Sequence, residues 1–465
     1  MAYVRIRKHY IHVPFLVLGL LEFGLLFGIM FAFRRLFGSP YALLADVSAS
    51  FVFAVVLFLS SLAMGTYQSL ARESALNMLL RSLVSYCLIG VLGYSVLTIW
   101  FQSLEVGSGI LFWGILLALV LSVAIRTVFI RLVDTEALKR KLMLVGEGKA
   151  TGELYDQVRE KSASYGFLVE GLVSEQASSH AGLEAIRRPL PEDALAFAQE
   201  HDLSELVLTS ANRRATDGPT IPINQLLDAK LAGVQVTDIN SFYERELQQV
   251  KVDTVLPSWM MLSDGFVYSK SRRISRRLFD LSVSLLLFII ALPLMLLTAL
   301  AVMLETGRPV LYSQIRTGLN GREFRIYKFR SMVTDAEKDG KAQWATKNDS
   351  RITRVGAFIR NTRLDELPQI WNIINGTMSF VGPRPERPEF VAELEKTLPY
   401  YSLRHKVKPG LMGWAQLKYP YGASIEDAKR KLEYDLYYVK NHSFFMDVLI
   451  IIQTVEVILL GKGVH

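Results

Sequence analysis

The chain has 465 residues, 51% of them hydrophobic and 21% charged, with a formal net charge of +8. That length allows several domains, and that composition excludes a disordered chain. A single cysteine, Cys87, excludes an intrachain disulfide framework and suits a reducing setting, while the surplus of cations calls for anionic partners.

Four apolar stretches fill the first third, at about 13–33, 42–64, 82–101 and 110–130. Each approaches the ~20 residues that a helix needs to cross a bilayer. The first follows a basic leader (Arg5, Arg7, Lys8), but it is too long for a signal peptide and no small-residue cleavage site follows it. Residues 102–109 hold no Lys or Arg. Arg72 and Arg81 flank the preceding connection, and Arg126, Arg131 and Lys139–Lys141 follow the fourth stretch. Residues 1–135 are therefore expected to form a four-helix transmembrane bundle with both its ends in the cytoplasm. Arg34 and Arg35 fall on the outer side, where snorkelling at the interface would accommodate them. Glu22 lies within the first span and Asp46, of the same sign, near the outer end of the second. With no cation within the spans to partner it, Glu22 is expected to face neighbouring helices rather than to serve transport.

Residues 136–245 have a different texture. KLMLVGEGKATGELYDQVRE reads as a strand, a glycine turn and a helix; GFLVEGLVS, ELVLTS and GVQVTDI read as further buried strands. The alternation predicts a parallel sheet with Rossmann-like winding. Gly146, Gly148 and Gly152 approach the dinucleotide fingerprint, but the last glycine comes one residue late. A structural or regulatory domain is expected here rather than a working cofactor site. Residues 246–269 read as a linker.

KSRRISRRLFD then leads into the apolar run 281–304, and together they form a segment of residues 270–305. The cations suit an anionic leaflet. A full crossing would put the cation-rich remainder on the far side. Pro293, at the middle of the run, removes a helix hydrogen bond and favours a re-entrant break. A kinked ordinary span is the alternative.

The remainder, 306–465, reads as a mainly helical cytoplasmic domain. It holds RLDELPQIWNIINGTMSFVGPRP, whose apolar Leu364, Leu367, Ile370, Trp371 and Ile374 fall on one face at helical spacing. Pro368 fits only a first turn, so the helix starts near Asp365 and Glu366, and Asn375-Gly376 ends it. Taken alone, this acidic pair has the pattern of a cap. Its surroundings point elsewhere. YKFRSM places Lys328 and Arg330 two apart on one strand face; Arg351, Arg354, Arg360 and Arg363 follow, and Arg384 sits between Pro383 and Pro385. Such cations hold phosphate oxygens. An adjacent Asp-Glu pair can bind Mg2+, which leaves one carboxylate free to attack phosphorus.

From about Lys270 to the C-terminus the chain resembles the bacterial sugar transferases that act on polyprenyl phosphate, the monotopic phosphoglycosyl transferases. The resemblance rests on RRLFD, YKFRSM, RITRVGAFIRNTRLDELPQIWNIINGTMSFVGPRP, KPGLMGWAQ and KLEYDLYYVKNHSFFMDV. The preceding helices and Rossmann-like region resemble the long form of that family. Ser350 and Met412 depart from the family pattern, where Pro and Thr are usual.

The resemblance implies a two-step reaction. Asp365 attacks the β-phosphate of a UDP-sugar and UMP leaves; polyprenyl (undecaprenyl) phosphate then takes the sugar phosphate, which begins exopolysaccharide or another surface glycan. Glu366 would support Mg2+ or handle protons, with both Asp365 and Glu366 as metal ligands. Lys328, Arg330, Arg384 and Arg354 would hold phosphates. The implied setting is the bacterial inner membrane, multi-pass, with the catalytic domain cytoplasmic. The partners are lipid and both substrates, with no nucleic acid. The sequence leaves the oligomer open, and an isologous homodimer through the bundle or the middle domain is a separate expectation.

Two other readings compete. A membrane-bound nucleotide-sugar dehydratase should carry Tyr-x-x-x-Lys, which the sequence lacks. A non-catalytic scaffold or sensor of polysaccharide export would leave Asp365 dispensable. FFMDVLIIIQTVEVILL, interrupted by Asp447, Gln453 and Glu456, reads as a membrane-surface or packing helix. KPGLMGWAQLKYPYG suits either a loop near lipid or sugar, or a packed turn. His405 and His442 receive no role.

Overall fold

The fold is that of a computed structural model, which describes residues 3–6, 9–38, 43–64, 75–101, 104–132, 139–160, 167–175, 177–178, 180–209, 221–266, 269–333, 351–419, 422 and 424–459. Arg7, Lys8, Arg72 and Ser350, all named above, lie outside these residues. The chain is mostly helical and divides into two compact units, Met1–Glu246 and Leu247–His465. Among the described residues five helices are long and apolar enough to cross a membrane, four in the first unit and one in the second.

In the first unit these are Val13–Phe37, Leu43–Ala63, a composite of Ala75–Leu83 and Val91–Trp100 joined through the π-helical Val84–Gly90, and Ser108–Leu132. Leu26, Met30, Phe53, Leu57, Tyr94 and Leu119 form one core among them. Two expectations about charge are corrected here. Glu22 does have a cation partner. Arg126 lies inside the fourth helix rather than after it, with Nε 2.5 Å from Glu22 Oε1 and Nη2 2.8 Å from Oε2. It also donates to the Ser82 hydroxyl at 2.7 Å, and neither charge is exposed. Bare charges in an apolar core are prohibitive, so each is tolerated only because the other is present. Arg34 does not snorkel: it is buried, and donates to Asp46 at 3.0 Å and to the Glu105 carbonyl at 3.0 Å.

The same unit holds a five-stranded parallel sheet, in the order Arg187–Arg188, Phe167–Val173, Arg140–Val145, Glu205–Leu208, Gln235–Asp238. The parallel sheet expected from sequence is present. Gly146 and Gly148 take φ of 110° and 129°, which only glycine adopts without strain, and so turn the chain from strand into helix. The polar groups of that turn bond within the fold: Ser174 donates to Glu147, and Thr151 to Thr209 at 2.8 Å.

In the second unit, residues read as linker pack into a core. Val250, Val252 and Val255 meet Val391, Leu394, Leu432 and Leu436, and the Val250 N–H donates to the Glu433 carbonyl at 2.9 Å. The apolar run becomes one helix, Lys270–Thr306, continuous through Pro293. Near its start Arg277 donates to the carbonyls of Ile373 and Ile374 at 2.6 and 2.5 Å, while Asp280 accepts from the Ser379 hydroxyl at 3.0 Å. Near its end Val302 packs on Phe329 and Ile359, with Met295 and Ala299 beside them. Between these two attachments Leu285, Leu286, Ile289 and Ile290 are exposed.

An antiparallel hairpin follows, Leu311–Thr317 with Glu323–Phe329, and then the helix Arg354–Asn361. Strand Ser379–Val381 pairs in parallel with Gly410–Met412, so KPGLMGWAQ is largely packed rather than free: Trp414 is buried and donates to the Gln248 carbonyl at 3.1 Å. Helix Phe444–Leu459 puts Met446 and Ile450 into the core, where the Tyr438 hydroxyl donates to Asp447 at 2.6 Å.

Candidate active site

Arg363 takes φ 60°, a left-handed residue that redirects the chain into the 3-10 turn Leu364–Gln369 and then the α-helical Ile370–Ile374. A 3-10 turn advances 120° per residue and eclipses positions i and i+3, whereas the sequence reading assumed a constant α period. The single apolar face is therefore not what forms. Asp365, Glu366, Pro368 and Gln369 point inward, Leu364 and Leu367 pack beside Val302, Phe329 and Ile359, and Trp371 is 52% exposed. No side-chain cap bond is made at the start of either piece, so the acidic pair does not cap.

Cations explain why carboxylates point inward. Lys328 Nζ, from strand Glu323–Phe329, and Arg384 Nη2 each lie 3.0 Å from the same atom, Glu366 Oε1, and Arg363 lies at 3.9 Å. Among the described residues no hydrogen bond or ion pair reaches the Asp365 carboxylate, although it is buried next to these groups.

Of the cations singled out in the sequence, the structure brings Lys328 and Arg384 to the acidic pair, with Arg363 at the longer distance. Arg330 goes elsewhere: it falls just beyond the strand and donates to the Thr306 carbonyl at 2.9 Å, its hydroxyl at 2.8 Å and the Gly307 carbonyl, closing the end of the long helix. Arg354 is exposed at the start of helix Arg354–Asn361, and its backbone N–H donates to Glu305 at 2.9 Å. Pro293 lies far along the long helix, in the apolar run.

Arg384 is held from behind by groups the sequence reading missed. Arg404 donates to the Arg384 carbonyl at 2.9 Å and binds Asp435 Oδ2 through two nitrogens at 2.8 and 3.1 Å. Arg316 donates to the Pro385 carbonyl at 3.2 Å. A Cβ on Gly382 or on Gly410 would collide with the other segment's backbone, so the two glycines let VGPRP and KPGLMG cross in contact. Arg404 and Asp435 stand 31 residues apart, so no local spacing announces them. Gln369 was also missed. It is 3% exposed and lines a recess with Arg316, Ile326, Lys328, Arg384, Pro385 and Gly410.

Electrostatics divide the acidic pair. Burial raises the Asp365 pKa, with Glu366 adding to the rise and Lys328 and Arg384 opposing it. Burial acts on Glu366 too, but Lys328, Arg384 and Arg363 outweigh it and hold that carboxyl far below the ordinary range. Burial also lowers Lys328 against the pull of Glu366. One buried group is thus firmly anionic, and its neighbour is a carboxylate without a bond to hold it.

The donors also bear on a divalent cation. No cluster of three or more His, Cys, Asp or Glu side chains forms among the described residues. Glu366 keeps Oε2 clear of its contacts with Lys328, Arg384 and Arg363, which all fall on Oε1, and Asp365 is open. One or two carboxylates completed by substrate phosphate and water is the pattern Mg2+ takes, so these residues fit it.

Residues 271–461, which contain this whole site, match the family model described as "Bacterial sugar transferase". The chain is 41% identical over 233 residues to the UDP-N-acetylgalactosamine-undecaprenyl-phosphate N-acetylgalactosaminephosphotransferase of Aeromonas hydrophila, covering 50% of this chain and 54% of that one. It is 32% identical over 321 residues to the UDP-glucose:undecaprenyl-phosphate glucose-1-phosphate transferase of Klebsiella pneumoniae, covering 68% and 67%. To the exopolysaccharide production protein PSS of Rhizobium leguminosarum bv. phaseoli it is 42% identical over 195 residues, 40% of this chain and 97% of that protein. The match thus spans about half the length of the Aeromonas relative.

Proposed function

Because the chain belongs to the bacterial sugar transferase family, we propose that it moves a sugar 1-phosphate from a UDP-sugar to polyprenyl phosphate through a covalent intermediate on Asp365. The observation that carries this reading is the unbonded Asp365 carboxylate beside Glu366, whose charge Lys328 and Arg384 already balance. A free carboxylate oxygen attacks the β-phosphorus. The bond from that phosphorus to the bridging oxygen breaks, and UMP leaves with the electron pair. The product on the protein is a mixed anhydride of Asp365 and the sugar phosphate. An oxygen of polyprenyl phosphate then attacks the same phosphorus, and the carboxylate is regenerated as the polyprenyl diphosphate sugar departs.

In this mechanism Lys328 and Arg384 do two things. They keep Glu366 anionic, and they lie where diphosphate oxygens arrive, so their charge passes from carboxylate to substrate as the leaving group develops. Asp365 and Glu366 would hold Mg2+, which would supply further neutralisation of phosphate charge. Arg330 acts on this reading through the fold, by fixing the end of the long helix beside Phe329.

The reading also gives the long helix a path. A helix of 37 residues would extend ~55 Å if straight. Its first turns and its last turns both bond the same folded unit, and Leu285, Leu286, Ile289 and Ile290 between them are bare. That arrangement supports a helix that bends at Pro293 without losing its helical course, dips into the bilayer and returns. Both flanks then stay cytoplasmic at an inner membrane, with the Rossmann-like region (136–245) and a four-helix transmembrane bundle (1–135) before it. The soluble and lipid substrates meet at the interface.

The test is UMP release by the full chain in lipid nanodiscs with Mg2+, polyprenyl phosphate and a panel of UDP-sugars, beside Asp365→Asn. Release from one donor, absent in the variant, is the expected result. Equal release from the variant overturns Asp365 as nucleophile.

A further inference from the structure

The 3-10 turn that carries the acidic pair presents a third polar side chain. Gln369 stands three residues after Glu366, so the two emerge eclipsed on one face of the turn. Glu366 spends that position on Lys328 and Arg384. Gln369 does not. It is 3% exposed, yet among the described residues its amide makes no hydrogen bond, and neither amide atom is sealed from the recess it lines. A nearly buried amide left without partners costs stability unless something else satisfies it.

The lining of the recess says what that something is. Its other polar side chains are Arg316, Lys328 and Arg384, all of them donors, and Ile326, Pro385 and Gly410 supply no polar side chain at all. Three cations suit the oxygens of a diphosphate. Among the described residues that line the recess the Gln369 carbonyl is the one side-chain acceptor, so it suits a group that donates a proton, which the cations cannot take: a hydroxyl.

We propose that Gln369 is a specificity residue whose amide oxygen accepts a hydrogen bond from a hydroxyl of the bound nucleotide sugar. The inference rests on the transferase reading above. It deepens that reading by naming the part of the donor, outside the phosphates, that the acidic turn reads. The hydroxyl belongs either to the transferred sugar or to the ribose, and the experiment separates the two.

Gln369→Met keeps length and volume and removes the amide. With the full chain in nanodiscs, KM for the preferred UDP-sugar should rise about tenfold while kcat changes far less, the size of one lost buried hydrogen bond. On the wild type, donors lacking single hydroxyls, on the sugar or on the ribose, should include one with the same tenfold penalty. That analogue should show no further penalty on Gln369→Met, and its position names the hydroxyl. The same comparison by donor titration against Asp365→Asn reads binding without turnover. A wild type that releases no UMP from any donor sinks the transferase reading, whereas the titration still scores Gln369. An equal penalty on every analogue, or a fall in kcat at unchanged KM, makes Gln369 a support for the turn and overturns the proposal. Should Gln369→Met not fold, the wild-type analogue series decides: no single hydroxyl mattering overturns it as well.

Discussion

Asp365 and Glu366 are consecutive in the chain and are driven in opposite directions, Asp365 towards the protonated form by burial and Glu366 towards the anion by Lys328 and Arg384. The sign for activity follows. A nucleophilic carboxylate must be ionised, and Asp365 ionises above the ordinary value of about 3.9. The acid limb of kcat/KM should therefore rise through an inflection displaced above that value. Replacing Glu366 with Gln removes a charge that raises Asp365 and frees Lys328 and Arg384 to lower it. The inflection should then move to lower pH even as the rate falls. A pH profile of UMP release measures both; an unmoved inflection would show that it does not belong to Asp365.

Glu366→Gln also has a stability signature. The folded pKa of Glu366 lies below its unfolded value near 4.3, so its contribution is present above that pH and is lost as pH falls towards the folded pKa. The variant should lose more melting temperature at pH 7 than at pH 3. Thermal unfolding in nanodiscs at the two pH values gives the comparison.

Arg404 acts on the site through the Arg384 carbonyl, so the two conservative losses should differ. Arg404→Lys keeps a charge for Asp435 but cannot span both partners. KM for the donor should rise several-fold with the fold retained. Arg404→Met strands a buried carboxylate, and an uncompensated buried charge costs about 3–5 kcal/mol. Steady-state kinetics beside unfolding midpoints separate these effects, and a Lys variant as unstable as the Met variant would count against the positioning role.

Within the first unit, Glu22→Gln or Arg126→Met alone should lower the unfolding temperature by several degrees, since each leaves the other charge buried. The double replacement Glu22→Met with Arg126→Met should recover much of the loss. Additive losses would mean that the pair is not the unit that matters.

Sequence made the apolar helices, the parallel sheet and the acidic pair legible, because each is a local pattern. It failed where the partner is remote or the period changes. Arg126 reads as a flanking charge in sequence because its meaning depends on Glu22, 104 residues away. Helical spacing assigns Trp371 to the buried face, but a 3-10 turn and an α-helix share no common stripe. Lys328 and Arg330 have the spacing of one pair on a strand face, yet the strand ends between them and sends one to Glu366 and the other to a helix end. Gln369 carried no signal beyond its distance from Glu366.

The attachments at both ends of helix Lys270–Thr306 carry one more consequence. A helix tied at a single end can relieve a mismatch with bilayer thickness by tilting or sliding alone. This one carries Arg277 on the carbonyls of Ile373 and Ile374, at the far end of the segment that begins with the acidic turn, and Arg330 on its last residues. On the membrane path proposed for it, the folded unit must ride with the helix. The depth to which the helix dips then sets the height of Asp365 above the plane of lipid phosphates, so the packing of the leaflet it enters would act on the second step of the proposed reaction with no change to any residue.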